Sequence, residues 1–311
     1  MVRRVGAAVT GLAGLFTLGC VASADFARAA LNGVSLPVAR ALHRLTAPVP
    51  FPVVEPLALG LLAVAVHALL RALSSAALRR SMKPLMRFVA GLLCGIILLT
   101  STLALLWGPA SALPFEAPPP PEADRLEWLC GALIDALNAS PLVFPDAGES
   151  LSLAPSVAGP SERAVKAVRW PEWMRLSHIC GLFVPLTGEA LVDAGAPAPL
   201  VPFTAVHELM HLAGVADEGA ANIEAWRRCM ASGGAFADSA RLWALRYAMG
   251  MLASADASAH LRVRGKMKDP LAQVFDQVNG EAETRNGYGA VVAALCKDSA
   301  WTVESEEWSF G

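Results

Sequence analysis

From Phe88 to Trp107 the chain runs for about 20 residues without one charged side chain. A helix of that length matches the hydrocarbon thickness of a bilayer, so this run sets the terms for everything around it. Two further runs resemble it. Residues 5–24 follow Arg3 and Arg4, and residues 57–73 carry His67 as their only ionisable group besides Arg71. Trp107 ends the third run, where an interfacial aromatic belongs. Overall, 55% of the residues are hydrophobic and only 17% charged. The excess is concentrated before residue 108, which points to membrane segments rather than to an oversized core.

The first run also reads as a secretory signal. Its arginines, its apolar stretch and Ala22-Ser23-Ala24 fit an A-x-A cleavage site. Leu18-Gly19-Cys20 is similar to a lipoprotein cleavage box, although Thr17 stands where an aliphatic residue belongs. The reading carried forward is an uncleaved anchor, giving three spans. Orientation follows from the bases. Arg71, Arg79, Arg80, Lys83 and Arg87 flank the short loop between the second and third runs, and no acid accompanies them. Short basic loops stay in the cytoplasm, so the chain after Trp107 is expected outside it. Arg28, Arg40 and Arg44 between the first two runs oppose this with a smaller count.

Residues 109–122 include four consecutive prolines and read as an extended spacer. The remaining ~190 residues suffice for one domain. Apolar spacings of three and four predict helices over residues 123–139, 162–177, 203–214, 219–232, 240–252, 270–279 and 288–296. Residues 141–160 read as loop, with one short strand at 150–153. The expected architecture is therefore mainly α: three N-terminal transmembrane helices (residues 1–108), the spacer, and a largely helical domain over residues 123–311. A net charge of −2 and the lack of a basic patch near the histidines argue against nucleic acid. Of six cysteines, Cys130, Cys180, Cys229 and Cys296 lie in the outer domain, where two disulfides or buried thiols are both compatible with the spacing.

Val206-His207-Glu208-Leu209-Met210-His211 carries the chemistry. Residues four apart share a helix face, so His207 and His211 can hold one ion. Glu208 lies about 100° around the helix, placed to hold a metal-bound water and act as general base. A catalytic zinc takes three protein ligands and leaves a position open, so a third is needed. Gly214 permits a sharp turn, and beyond it both Asp217 and Glu218 are available, with Glu224 more distant. Asn222, one turn after Glu218, is placed to hydrogen-bond a ligand histidine.

These residues carry a resemblance. Ala47-Pro48-Val49-Pro50-Phe51, Gly181 to Ala190, His207 to Gly214, Glu218 to Asn222 and Gly287 to Val292 together are similar to a family of uncharacterised bacterial membrane proteins. That family is a domain of unknown function with three N-terminal spans and an external HELAH-type motif. The likeness covers nearly the whole chain, but only the zinc motif and Thr187-Gly188-Glu189 are specific. The resemblance implies a zincin-like, zinc-dependent hydrolase and no particular substrate. The family typically reads Glu-Asp-Glu-Ala-Asn after the motif, whereas here Ala220 replaces the second glutamate. Glu218 is the expected ligand and Asp217 the alternative. The resemblance also places Glu189 in an edge strand or loop beside the cleft, where it would bind a substrate amine or orient His207. Tyr288, His178 and Arg246 are candidate donors to a scissile carbonyl.

The expected function is a membrane-anchored zinc metallopeptidase in the cell (inner) membrane, multi-pass, with its C-terminal domain facing out. It would act on peptides, proteins or cell-wall peptides. The alternative is a non-catalytic, membrane-tethered zinc-binding scaffold or sensor with a degenerate site, which the Ala220 departure favours and Glu208 disfavours.

Overall fold

The structure, a computed structural model, describes residues 2–115, 119, 121–159, 164–177 and 179–279. The chain divides into two compact units. Residues 1–114 and 184–189 form one, and residues 115–183 and 190–311 form the other.

The first unit is helical: α1 (Val2–Ala22), α2 (Ala24–Ala30), a π-helical turn (Leu31–Ser35), α3 (Leu36–Thr46), α4 (Val54–Arg79) and α5 (Lys83–Ser111). Ser23 separates α1 from α2, its hydroxyl accepting the Phe26 amide as an N-cap. Helices α4 and α5 are long and apolar enough to cross a membrane. Their side chains are also turned outward: Leu61 is 67% exposed and Leu98 53%, which a core helix in water would not tolerate. Among the described residues two such helices stand where three were expected. In α1 the apolar stretch Gly11–Ala22 is described. The stretch expected as a loop between the first two spans is mostly helix.

Residues 184–189, the tip of a later hairpin, belong to this unit. Glu189 is 1% exposed, and its two carboxylate oxygens accept the backbone amides of Val53 (2.7 Å) and Val54 (3.0 Å). These amides open α4 and have no partner within the helix, and the carboxylate also suits the positive end of the helix dipole. His43 on α3 donates from Nδ1 to the Gly188 carbonyl at 2.8 Å, because a carbonyl can only accept. Thr46 Oγ1 donates to the Thr187 carbonyl at 3.2 Å. Gly188 has φ +65°, and a Cβ there would lie 2.7 Å from the Ala39 oxygen and the His43 nitrogen. Only glycine fits this position without strain. Glu189 thus caps a helix; a role in a substrate cleft is corrected.

The second unit comprises α6 (Ala123–Ala139), α7 (Ala147–Ala158), β1 (Val165–Ala167), α8 (Glu172–Leu176), β2 (Gly181–Val184), β3 (Glu189–Val192), a 3₁₀ turn (Ala198–Leu200), α9 (Val201–Leu212), α10 (Glu218–Ser232), α11 (Gly234–Ala255), α12 (Ala257–Arg264) and α13 (Asp269–Asn279). The sheet order is β1-β3-β2. β1 runs parallel to β3 with Val165 opposite Ala190, so β3 is central and not the expected edge. The predicted helix over 162–177 is replaced by β1, where Val165 and Lys166 are buried, and by the short α8 after Pro171. The predicted loop over 141–160 holds α7 instead. Asp146 starts α7 by accepting the Glu149 amide at 2.8 Å. The predicted helix over 288–296, with Tyr288, lies outside the described residues, as do His178 and Cys296. Cys229 is a buried thiol whose pKa burial pushes up, so a two-disulfide pattern using all four outer-domain cysteines does not form.

Helix α9 lies at the centre of this unit, with α7, α10, α11 and β1 against it, and all twelve of its residues are buried. Its start is held from α11. Ser239 Oγ accepts the Phe203 amide (3.1 Å) and donates to the Pro199 carbonyl (2.6 Å), while Trp243 Nε1 donates to the Leu200 carbonyl (3.1 Å). Glu189→Ala should destabilise the first unit by about 1–3 kcal/mol, since two amides lose a charged acceptor. Denaturant unfolding of the full chain in detergent checks this, and an unchanged midpoint would show the cap to be idle.

Candidate metal centre

The helical spacing of His207 and His211 brings their rings to one face of α9, with centroids 4.6 Å apart and planes nearly perpendicular. The two Nε2 atoms lie 3.0 Å apart. Glu218, the first residue of α10, directs its carboxylate at both, with Oε2 3.2 Å from His207 Nε2 and Oε1 3.4 Å from His211 Nε2. These three side chains form a group able to hold a metal ion. Ligands ~2.0–2.1 Å from a tetrahedral centre lie ~3.3 Å from one another, close to all three distances found.

The end of α9 orients one of these ligands. Gly214 (φ +102°) reverses the chain. The Val215 amide bonds the Met210 carbonyl (3.1 Å) and the Gly214 amide bonds that of His211 (2.9 Å), a Schellman termination. The Val215 carbonyl then accepts His211 Nδ1–H at 2.7 Å. That holds Nδ1 as a donor and leaves Nε2 as the ring atom facing Glu218, free to take an ion once its proton is lost.

The competition between the two acids is decided at the start of α10. Asp217 is its N-cap, its Oδ1 accepting the Ala220 amide at 2.9 Å. The next residue then falls in the first turn with its side chain directed at the histidines. Glu224 is held elsewhere, by Arg228 at 2.7 Å and Arg227 at 3.7 Å. Ala220 lines a pocket with Met210, Ala213, Ile223 and Glu224, and the three-residue group forms without a side chain from position 220. Asn222 is fully buried and faces His207, where it favours the protonated ring. Neither its amide group nor His207 Nδ1 reaches hydrogen-bond geometry. Arg246 stacks over the Trp243 ring at 5.7 Å.

Burial dominates the electrostatics. It lowers the pKa of His207. At His211 burial pulls the same way, but the Glu218 and Glu208 carboxylates outweigh it and lift the pKa to about 9. Glu218 also feels burial, and the two imidazoles override it and hold its carboxyl well below the usual range. Glu208 is 4% exposed, and burial raises its pKa to about 8. It stands apart from the triangle, over β2: a Cβ on Gly181 would collide with Glu208 Oε1 and with Thr204 Cγ2. The sequence offers Gly181 only as one glycine among 25, and nothing in its spacing signals this contact.

Gly214→Ala should cost about 1 kcal/mol or more, because the positive φ strains any other residue. It should also loosen the Val215 carbonyl that orients His211. Thermal unfolding with and without added Zn²⁺ would read both effects, and equal midpoints for variant and parent would count against this cap.

The sequence profile of a family described as "Protein of unknown function (DUF3810)" matches residues 31–296. No curated protein and no solved structure matches the chain significantly. The matched region covers most of the chain and includes the hairpin tip, all of α9 and the His207–His211–Glu218 triangle, so the chain belongs to the DUF3810 family, whose function is unknown.

Proposed function

We propose that this chain is a membrane-anchored zinc metallopeptidase that hydrolyses peptide or amide bonds outside the cytoplasm. One observation carries the reading: two imidazole Nε2 atoms and one carboxylate converge at 3.0–3.4 Å, with a separate buried carboxylate, Glu208, one residue from the first histidine. A purely structural site has no use for Glu208, and the triangle is complete without a residue at position 220.

His207, His211 and Glu218 would hold the ion. Zinc, when bound, polarises the scissile carbonyl and lowers the pKa of water into the neutral range. The Val215 carbonyl keeps His211 in the tautomer that binding needs. Glu208, once ionised, would take the proton of the attacking water and pass it to the leaving amine; burial raises its pKa to about 8, and a cation held by the histidines would favour the ionised form. Gly181, by lacking a side chain, leaves Glu208 the space for that carboxylate. Anchoring rests on the length, apolarity and outward-facing side chains of α4 and α5. The basic residues between them support residues 75–87 in the cytoplasm and the His207–His211–Glu218 unit outside.

Glu208→Gln should retain about one zinc per chain and lose ~10²–10⁴-fold in turnover, the usual worth of a general base. His211→Ala should lose the metal itself, because two ligands hold zinc poorly. Metal analysis beside peptide hydrolysis separates the two, and full activity in Glu208→Gln would remove this motif from the chemistry. A cysteine placed in the proline-rich spacer should react with an impermeant maleimide on intact cells. Reaction only after lysis would reverse the topology.

A further inference from the structure

The loop joining β1 to β2 holds a patch that the chemistry above does not use. Trp170 is 49% exposed, Trp173 42% and Leu176 83%. Leaving this much aromatic and aliphatic surface in water costs about 25 cal/mol for each Å², and the segment is not exposed for want of anchoring. Met174, on the inner side of α8, is fully buried. Its neighbour Arg175 donates to both carboxylate oxygens of Asp193, from Nε at 2.7 Å and from Nη2 at 3.1 Å. Asp193 is held in turn by the Gly195 amide at 2.8 Å. Pinned on its inner side, α8 turns Trp173 and Leu176 outward, with Trp170 just before them.

We infer that Trp170, Trp173 and Leu176 form a contact surface for the lipid–water interface of the bilayer. Three observations favour lipid as the occupant. Tryptophan prefers this interface, since its ring is apolar and its N–H seeks a polar partner. Arg169 beside the patch is exposed and suits phosphate headgroups, with Glu172 the one acid between the tryptophans. The unit that carries the patch also follows α5 in one continuous chain, so a bilayer crossed by α4 and α5 lies within its reach. The inference rests on reading α4 and α5 as membrane spans.

The test uses the full chain in phosphatidylcholine vesicles brominated on the upper acyl chain, where bromine quenches only tryptophans at lipid depth. The chain has eight tryptophans, so the pair is read by difference. The double variant Trp170→Phe/Trp173→Phe should lose a smaller fraction of its fluorescence to bromolipid than the parent. Trp107→Phe, at the outer part of α5, reports the span itself, and Trp128→Phe, an exposed tryptophan on α6 (47%), reports nonspecific quenching. A reduced loss in both Trp107→Phe and the double variant, with none in Trp128→Phe, supports the surface. A reduced loss in Trp107→Phe alone overturns the patch and leaves the spans standing, as would equal changes in the Trp128 and patch variants. No change in any variant overturns both.

Discussion

Helix α9 imposes a demand that the rest of its unit answers. Twelve consecutive residues are buried, and three of them are ionisable groups. A carboxylate or imidazolium taken from water costs several kcal/mol unless partners compensate. Glu218 supplies compensation to both histidines, and Glu208 yields by holding its proton more tightly. A helix buried on every side also needs neighbours on every side, which α7, α10, α11 and β1 provide. Its ends cannot be left to water either. Ser239 and Trp243 serve the first turn, and Gly214 with Val215 serves the last. The same contacts that hold the ends of α9 also orient His211, through the Val215 carbonyl.

Economy of position recurs in the acids. Asp217 and Glu218 are adjacent and chemically alike, yet one closes a helix and the other completes a cluster. The difference is dihedral: the N-cap residue is extended and bends its short side chain over the amides ahead, while the first-turn residue projects outward. Glu189 makes the point at longer range. Its carboxylate is as buried as that of Glu208, but each of its oxygens accepts a backbone amide at the start of α4, so it serves a helix end. Burial of an acid is thus a poor guide to chemistry until its hydrogen bonds are counted.

The same logic explains what could be read from the sequence. The histidine pair was legible because a helix converts a spacing of four into proximity. Helices α6, α9, α10 and α11 were legible because their apolar periods run for three turns or more. Strands of three or four residues are too short to display alternation, so β1 and β2 passed unseen, and β3 was anticipated only as an edge strand or loop around Glu189. Helix α7 was hidden by Pro155 and its serines, although Asp146 ahead of it is a good cap. Glu189 drew notice through the Thr187-Gly188-Glu189 segment, but its role depends on amides about 135 residues away in sequence. The contact of Gly181 with Glu208 leaves no local trace at all.

The hairpin tip has a practical consequence. Three of its residues, Thr187, Gly188 and Glu189, are bonded to residues of α3 and the start of α4. Cutting the chain after the spans to obtain a soluble fragment would separate these partners. The severed tip would show water an anionic side chain and two carbonyls shaped for helices no longer present, and α4 would begin with bare amides in whatever detergent held it. Removing the first unit would then strip hydrogen-bond partners from both sides of the cut, so the intact polypeptide is the object to purify and measure.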